Sequence, residues 1–119
     1  MKVSFVIPCY RSEHTIGKVV DKIQNTIRKD DECEIILVND CSPDDTFETI
    51  RGLCEKWDNV KGISLAKNFG QHAALMAGFR HVTGDVVVCL DDDGQTPFNE
   101  LDKLFQKIEE GYDLVEAKY

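Results

Sequence analysis

The sequence predicts an α/β fold in which a Rossmann-like parallel sheet is covered by helices on both faces. Short apolar segments rich in β-branched residues alternate four times with segments whose apolar residues recur at helical spacing. Such alternation is typical of parallel strands joined by right-handed helical crossovers. We predict that the first four strands lie in the sheet order 3-2-1-4.

Each element follows from a local pattern. The strands are predicted at about residues 3–7, 34–39, 60–65 and 86–90, with a fifth at 114–117. The third strand alternates more than the others, so we expect it near the sheet edge. Helices are predicted at about residues 13–28, 71–82 and 97–110, and another lies between strands two and three. The first two helices are expected to bury Ile16, Val19, Val20, Ile23 and Ile27, and Phe47, Ile50, Leu53, Cys54 and Trp57.

The predicted boundaries depend on a few polar residues, prolines and glycines. Pro8 is expected to end the first strand, and Ser12 is a predicted N-cap. Ser42 with Asp45 three residues later suggests a capping box for the second helix. Gly84 is the predicted C-terminal cap of the third helix, whose apolar side chains are Leu75, Phe79 and Val82.

Composition limits the function. With 119 residues the chain predicts a single domain, and 42% hydrophobic with 30% charged residues indicates a globular protein. Its net charge is −8 and its Lys and Arg residues are not clustered, which disfavours nucleic acid as a partner. An acidic domain that handles phosphorylated substrates would need a cation to offset the charge.

Cysteine usage and the beginning of the chain suggest the cellular setting. Five cysteines, at positions 9, 33, 41, 54 and 89, have no CxxC spacing, which favours a reduced, cytoplasmic environment. Met1 is followed almost at once by a strand, so no signal peptide is expected. No apolar run approaches the length of a membrane span.

Three consecutive carboxylates follow the fourth strand. Asp91, Asp92 and Asp93 would repel one another at neutral pH unless a cation or a donor-rich ligand lies among them. Gly94 permits a turn, and Gln95 adds another oxygen. Oxygen ligands of this kind suit Mg²⁺ or Mn²⁺.

Two other interpretations of this stretch remain open. The first is a solvated acidic loop, since charge runs usually face water. The run also partly fits a calcium loop, because Asp91, Asp93 and Glu100 match the third, fifth and twelfth EF-hand positions. However, Cys89 occupies the first position, and a strand stands where that motif has a helix.

Other polar residues follow the remaining strands. In open parallel sheets, ligands bind beyond the carboxyl ends of the strands, where the strand order reverses. Because the chain has no Walker A or GxGxxG loop, phosphates would have to be held by a metal. Structural roles remain open for Pro8 as a strand stop, Asp40 as a cap before helix two and Tyr10 as a surface aromatic. The residues at this edge are Tyr10, Glu13, Asp40, Lys67, Asn68 and the aspartates.

Four segments of the sequence resemble a known family. They are VIPCYRSEHTI, ILVNDCSPDDT, LAKNFGQHAALMAGF and GDVVVCLDDDGQTP. Together they resemble the first half of a family 2 inverting glycosyltransferase with the GT-A fold. The chain is most similar to the polyprenyl-phosphate sugar synthases, such as those of the dolichol-phosphate mannose synthase type. The resemblance covers essentially the whole chain and implies a UDP- or GDP-sugar donor with Mg²⁺ or Mn²⁺.

The resemblance also implies roles for individual residues. It implies that Pro8, Tyr10 and Glu13 edge the nucleotide base and that Asp40 hydrogen-bonds the polar edge of this base. Lys67, Asn68 and Gly70 would lie near the ribose or diphosphate. The metal-binding pair would be Asp91 and Asp93, completed by Gln95, with Asp92 in the variable middle position counted among the nucleotide-binding residues. Many relatives have the residues D-D-G-S where this chain has Asn39, Asp40, Cys41 and Ser42.

Relatives of this kind are about twice as long or more, and their second half supplies the catalytic base, the acceptor site and often membrane helices. The resemblance therefore implies that residues 1–119 are the donor-binding half, inactive alone, of an enzyme at the cytoplasmic face of a membrane. A transferase acting on a saccharide acceptor in cell-wall or polysaccharide synthesis is one alternative. A module that binds metal and nucleotide without turnover is another. The unpaired edge of strand five also predicts self-association into a homo-oligomer.

Overall fold

A computed structural model of the chain contains a five-stranded sheet in which every pair of neighbouring strands is parallel. The structure describes residues 2–27, 32–90 and 92, together with the backbone of 114–116. The sheet order is β3-β2-β1-β4-β5, which confirms the predicted order 3-2-1-4 and adds β5 beside β4. The strands are β1 (Lys2–Cys9), β2 (Glu32–Asn39), β3 (Val60–Ser64), β4 (Val86–Cys89) and β5 (Leu114–Glu116). The helices are α1 (Ile16–Thr26), α2 (Thr46–Lys56) and α3 (Gln71–Phe79); the helix predicted at 97–110 lies outside the described residues.

Helices cover both faces of the sheet, as predicted. Odd-numbered residues of β1, such as Phe5 and Ile7, belong to the core cluster that contains the buried residues of α1 and α2. On the opposite face, Val38 and Ile36 of β2 pack with Ala74 of α3. Because both faces are covered, the central strands are apolar at nearly every position rather than at alternate ones.

Helix α3 approaches the sheet through small residues, and Val82, which follows the helix, packs partly buried against the same cluster. Its buried residues are Ala74 and Gly78. A Cβ atom added at Gly78 would collide with the side chain of Val6 on the sheet. Close approach of the helix therefore selects small side chains at the contact, which a hydrophobic pattern does not single out.

Pro8 does not end β1, contrary to the prediction. The strand continues to Cys9, and Pro8 is paired in register with Val38 of β2. The carbonyl oxygen of Cys9 accepts the N–H group of Asp40 on the β2 side, so alternation turns the backbone nitrogen of Pro8 towards β4. The register between β1 and β4 ends with the pair Val6 and Cys89, and the Leu90 N–H donates to the Val6 carbonyl oxygen at 3.2 Å. Proline lacks a backbone N–H group, and Pro8 lies beyond the paired part of β1 and β4, so the strand tolerates it.

Two predicted N-terminal caps are also wrong. Helix α1 begins after a turn in which the Ser12 carbonyl oxygen accepts the N–H groups of Thr15 and Ile16, and the Ser12 hydroxyl does not cap it. At α2, Asp44 replaces the predicted capping box by accepting the N–H group and the hydroxyl of Thr46. Burial opposes ionisation of Asp44, but its hydrogen bonds from Ser42 and Thr46 outweigh burial and lower its pKa to about 2.

A buried carboxylate closes the amino end of the sheet. Glu34 on β2 accepts hydrogen bonds from the hydroxyl of its register partner Ser4 at 2.8 Å and from the Thr83 N–H at 2.6 Å. The ammonium groups of Lys61 and Lys2 lie 3.4 and 3.5 Å from its carboxylate. Burial opposes ionisation, but these hydrogen bonds and the Lys61 charge lower the pKa of Glu34 to about 2.

The predicted cap at Gly84 belongs to this amino-end cluster instead. Helix α3 ends at Phe79, and the Gly84 N–H group donates to the Ser4 hydroxyl at 2.9 Å. All five cysteines lie within the described residues, and none of them is in a disulfide. None of the helices in residues 2–27 and 32–90 is long and apolar enough to span a membrane.

Candidate functional site

A cleft of about 440 Å³ opens at the carboxyl ends of the central strands. It lies where the chain reverses direction across the sheet, because β2 and β4 flank β1 on opposite sides. Six sequence-predicted residues meet in this cleft, together with two that were not predicted. The lining residues are Pro8, Cys9, Tyr10, Asp40, Asn68, Gly70, Gln71 and Asp92.

Asp92 connects the segments that follow β1 and β4. Its carboxylate accepts the Tyr10 N–H group at 2.9 Å, and its carbonyl oxygen accepts the hydroxyl of Thr15 at 2.7 Å. The Tyr10 side chain is 40% exposed, and the guanidinium carbon of Arg11 lies 5.6 Å from the centroid of its ring. One side of the cleft therefore carries an accessible aromatic ring in cation–π contact with an arginine.

Asp40 connects the ends of β2 and β3 in a similar way. Its side chain is buried, and its two carboxylate oxygens accept the N–H groups of Phe69 at 2.9 Å and Gly70 at 3.0 Å. The alternative role of Asp40 as the cap before helix two is wrong, because Asp44 makes those hydrogen bonds. Asp40 instead joins the second loop of the cleft to the third.

The backbone at this edge adopts conformations that most residues avoid. Arg11 and Cys41 have φ angles of 52° and 53°, and Gly70 has a φ angle of 95°. Hydrogen bonds hold these conformations in place, including the one from the Arg11 N–H group to the Ser42 hydroxyl at 2.8 Å. Unfavourable φ angles at non-glycine residues concentrate at functional sites, where the surrounding structure enforces them.

The family is shown by the sequence as a whole. Residues 4–118 match the family described as Glycosyl transferase family 2. The chain belongs to this family. It is 38% identical over 118 residues to the undecaprenyl-phosphate 4-deoxy-4-formamido-L-arabinose transferase of Klebsiella pneumoniae (strain 342). That match covers 96% of this chain and 36% of the relative, so the chain spans about a third of the length of such proteins.

Solved structures of similar fold support the assignment. One is S. aureus TarS 1-349 in complex with UDP-GlcNAc, with a TM-score of 0.72 and 27% identity over 92% of this chain and 32% of that one. Another is the mannosyltransferase PcManGT from Pyrobaculum calidifontis in complex with GDP-Man and Mn²⁺. Its TM-score is 0.71, with 25% identity over 86% of this chain and 32% of that one. The sheet and its helices thus have the GT-A arrangement of this family.

Two predicted family 2 site residues are not among those that line the cleft. Glu13 precedes α1, where its carbonyl oxygen accepts the Thr49 hydroxyl at 3.3 Å, and its carboxylate is 3.7 Å from the His14 ring. Lys67 is exposed in the segment that follows β3. Their proposed contacts with the nucleotide remain predictions.

The predicted metal ligands Asp91, Asp93 and Gln95 lie outside the described residues. Within the described part of the chain, no cluster of three or more His, Cys, Asp or Glu side chains could hold a metal ion. Asp92 stands between the two predicted carboxylates in sequence and lines the cleft. Two carboxylates and an amide oxygen are the hard donors that Mg²⁺ and Mn²⁺ prefer, so the chemistry of the predicted donor set fits such an ion.

Sequence reasoning missed Cys9 and Gln71 as lining residues. Each is a chain neighbour of a residue that was predicted, Cys9 between Pro8 and Tyr10 and Gln71 after Gly70, and this adjacency was the only available signal. Burial, together with the negative charge of Asp92, raises the pKa of the Cys9 thiol far above its ordinary value. Cys9 therefore contributes a neutral, compact wall to the cleft rather than a nucleophile.

Proposed function

We propose that this chain is the donor-binding part of a family 2 glycosyltransferase that transfers a sugar, with inversion, from a nucleoside diphosphate to a polyprenyl phosphate. The observation that carries the proposal is the cleft itself. Segments following β1, β2, β3 and β4 all contribute side chains to it. A cleft at the carboxyl edge of a parallel sheet with an aromatic ring and several convergent polar groups suits a nucleotide.

The proposed contacts divide the cleft into two sides. The base lies against Pro8 and Tyr10, with Glu13 at its edge, and its polar edge meets Asp40. The ribose and diphosphate extend towards the segment that contains Lys67, Asn68 and Gly70, and Asp92 lies beside Tyr10. The exposed ring of Tyr10 offers stacking area to any base, so discrimination between uracil and guanine must come from hydrogen bonds.

We infer that Asp91, Asp93 and Gln95 hold Mg²⁺ or Mn²⁺. When bound, the ion would offset the charge of the diphosphate and act as a Lewis acid on the leaving group. The net charge of −8 agrees with this assignment, because a cation would offset repulsion between the diphosphate and the acidic protein. The Mn²⁺ and GDP-Man in the complex of the mannosyltransferase relative also support it.

The acceptor is proposed from the curated relatives, whose names specify undecaprenyl phosphate. Since the chain spans about a third of their length, we place the catalytic base and the acceptor site in the part of such proteins that this chain does not cover. Inverting transfer requires a base within about 3 Å of the attacking group. We therefore expect donor binding by residues 1–119 but no sugar transfer to undecaprenyl phosphate, and a labelled lipid product would contradict this division.

Nucleotide binding is tested by calorimetry and thermal shift with UDP and GDP, each with and without Mn²⁺. The parent protein should be stabilised by one nucleotide only when Mn²⁺ is present. The variants Asp91→Asn and Asp93→Asn should lose this stabilisation while remaining folded without ligand, because removal of one carboxylate also relieves repulsion.

The matched control is Asp45→Asn, which makes the same chemical change at an exposed residue whose side chain caps nothing. It should bind nucleotide like the parent. If both aspartate variants bound the nucleotide and Mn²⁺ as tightly as the parent, the metal assignment would be wrong. If the parent bound neither nucleotide under any condition, the proposed function would fail.

A further inference from the structure

Asp40 is assigned above to the polar edge of the base, but its hydrogen bonds point to a second role. We propose that Asp40 is a positioning residue whose carboxylate fixes the β3–α3 loop, residues 65–70. Binding of the diphosphate, and not only binding of the base, then depends on Asp40. This inference rests on the proposed nucleotide site. In this proposal the Asp40 side chain couples the base side of the cleft to the diphosphate side.

The first observation is the geometry of the clamp. Each oxygen of the Asp40 carboxylate accepts one backbone N–H group, from Phe69 at 2.9 Å and from Gly70 at 3.0 Å. Asp40 is only 4% exposed, so water cannot readily replace either bond. The donors are the two residues immediately before α3, where an anionic group is also favoured by the helix dipole.

The second observation is where the loop is attached. Near its beginning, the Leu65 N–H group donates to the carbonyl oxygen of Asn39 at 2.9 Å. At its end, the Gly70 N–H group is shared between Asp40 and the Asn68 side-chain oxygen, which lies at 3.2 Å. Asn68 and Gly70 line the cleft. Asp40 therefore fixes the end of the loop that lies nearest to a bound ligand.

The third observation concerns what the side chain can accept. Two parallel N–H donors require two acceptor atoms, which a carboxylate provides and an amide does not. An asparagine would turn its own NH₂ group towards one of the two backbone donors and leave that donor buried without a partner. A carboxylate has about four lone-pair positions, so two remain for the base. One carboxylate can therefore serve both functions, and Asn cannot replace it.

The binding test compares a nucleoside with its diphosphate. The parent, Asp40→Asn and the control Asp45→Asn are titrated with uridine and UDP, and with guanosine and GDP, each with Mn²⁺. If Asp40 contacted only the base, Asp40→Asn would lower the affinities for the nucleoside and for the nucleoside diphosphate by the same factor. We expect the loss to be about tenfold greater for the diphosphate, since a buried donor is left unpaired beside its site. Equal factors would overturn the proposal.

A second variant separates the clamp from the base contact. Gly70→Ala keeps the Asp40 carboxylate, and the added Cβ meets no atom within 4 Å, but φ at this position is 95°, which disfavours a side chain. We expect this variant to bind the nucleoside diphosphate about tenfold more weakly than the parent does. Its affinity for the nucleoside should stay within about twofold of that of the parent. Loss of nucleoside affinity alone would contradict the clamp.

A third measurement needs no nucleotide. In the NMR spectrum of the parent, the amide protons of Phe69 and Gly70 should be shifted downfield and protected from exchange, because they bond to a carboxylate. Asp40→Asn should remove both effects while amides of the core strands keep their protection. Unchanged Phe69 and Gly70 amides would overturn the clamp even if nucleotide binding were lost. Intact clamp signals in a parent that binds no nucleotide would instead contradict the proposed function.

Discussion

Strand β2 carries a buried carboxylate near each end, and the two have different surroundings. Glu34, at the amino end of the sheet, has hydroxyl, backbone and ammonium groups around it, contributed by Ser4, Thr83, Lys61 and Lys2. Asp40, at the other end, is held by two backbone N–H groups and lines a cleft. The carboxylate with donors from several directions closes the fold, and the one held through the backbone lines the cleft.

The backbone differs between the same two ends. All three positive φ angles in the described residues belong to the cleft edge, and two of them are at non-glycine residues. At the amino end, Gly84 is required for space: a Cβ atom there would lie 2.9 Å from the carbonyl oxygen of Lys2 and 2.9 Å from the backbone nitrogen of Ser4. The cleft edge is strained, and the amino edge is closely packed.

The largest effect is expected at Glu34. Glu34→Ala should lower the free energy of unfolding by about 3 kcal/mol, because it leaves buried donors and two ammonium groups without their acceptor. Urea unfolding would measure this change, with Glu48→Ala as the control, since Glu48 is exposed and pairs with Arg51 on the surface. Protein that remains folded should bind nucleotide as the parent does. If Glu34→Ala lost no more stability than Glu48→Ala, Glu34 would not stabilise the fold in the way that distinguishes it from Asp40.

The pH dependence of stability should reveal the same carboxylate. The pKa of Glu34 falls from an ordinary value of 4.5 to about 2 in the folded protein, so its contribution is complete above pH 4.5 and disappears as the pH falls towards 2. The contribution should be about 3 kcal/mol at most. In Glu34→Gln, urea unfolding should therefore depend less on pH in this range.

A residual slope is expected from Asp44, whose pKa is also lowered to about 2, and the added substitution Asp44→Asn should remove it. If Glu34→Gln and the parent lost stability in parallel between pH 4.5 and pH 2, the partners of Glu34 would not lower its pKa as described.

The close packing at the amino edge predicts an intermediate effect. Gly84→Ala should lower the free energy of unfolding by about 2 kcal/mol, because backbone atoms must shift to admit the Cβ atom. The control is Gly52→Ala in α2, where a Cβ atom would meet nothing within 4 Å. That variant should raise the free energy of unfolding by up to about 1 kcal/mol, since alanine is the better helix former. Thermal unfolding of both variants measures the difference, and the opposite order would show that the amino edge can expand.

The strain at the cleft edge predicts the smallest effect. Cys41 has a φ angle of 53°, so Cys41→Gly should be more stable than Cys41→Ala by about 1 kcal/mol. Both variants lose the thiol and its contact with the Ala66 carbonyl oxygen, so the difference between them isolates the backbone. Chemical denaturation measures it. Equal stabilities would indicate that the cleft edge carries no strain at this position.

The sheet was predictable because each strand is recognisable from its own short stretch of sequence. The central strands are buried on both faces, so each appears in the sequence as a continuous apolar run between polar loops. The inner faces of α1 and α2 were equally visible, since large apolar residues recur at helical spacing. Helix α3 was different: its distance from the sheet is set by Gly78 and Ala74, and a hydrophobic pattern gives no weight to small size.

The site was predictable as a set of residues but not as a set of contacts. The polar side chains that follow parallel strands must meet at one edge, and this reasoning located Tyr10, Asp40 and Asn68. The partners of Asp40 are backbone N–H groups, which every residue except proline carries, so no side chain marks them in the sequence. The capping of α2 by Asp44 rather than by Ser42 and Asp45 has a related cause, because neighbouring polar residues compete for the same donors.

The central position of β1 also affects how the chain folds during synthesis. Its two neighbours are β2 and β4, and the pairing of Val3 with Val86 joins residues more than 80 positions apart. A ribosome adds roughly 5–20 residues per second, so one edge of β1 stays uncovered for several seconds after the strand has been made. During this interval the unpaired backbone N–H and C=O groups of that edge are open to other chains. We expect folding yield, rather than final stability, to respond most strongly to elongation rate and to chaperones that shield this edge.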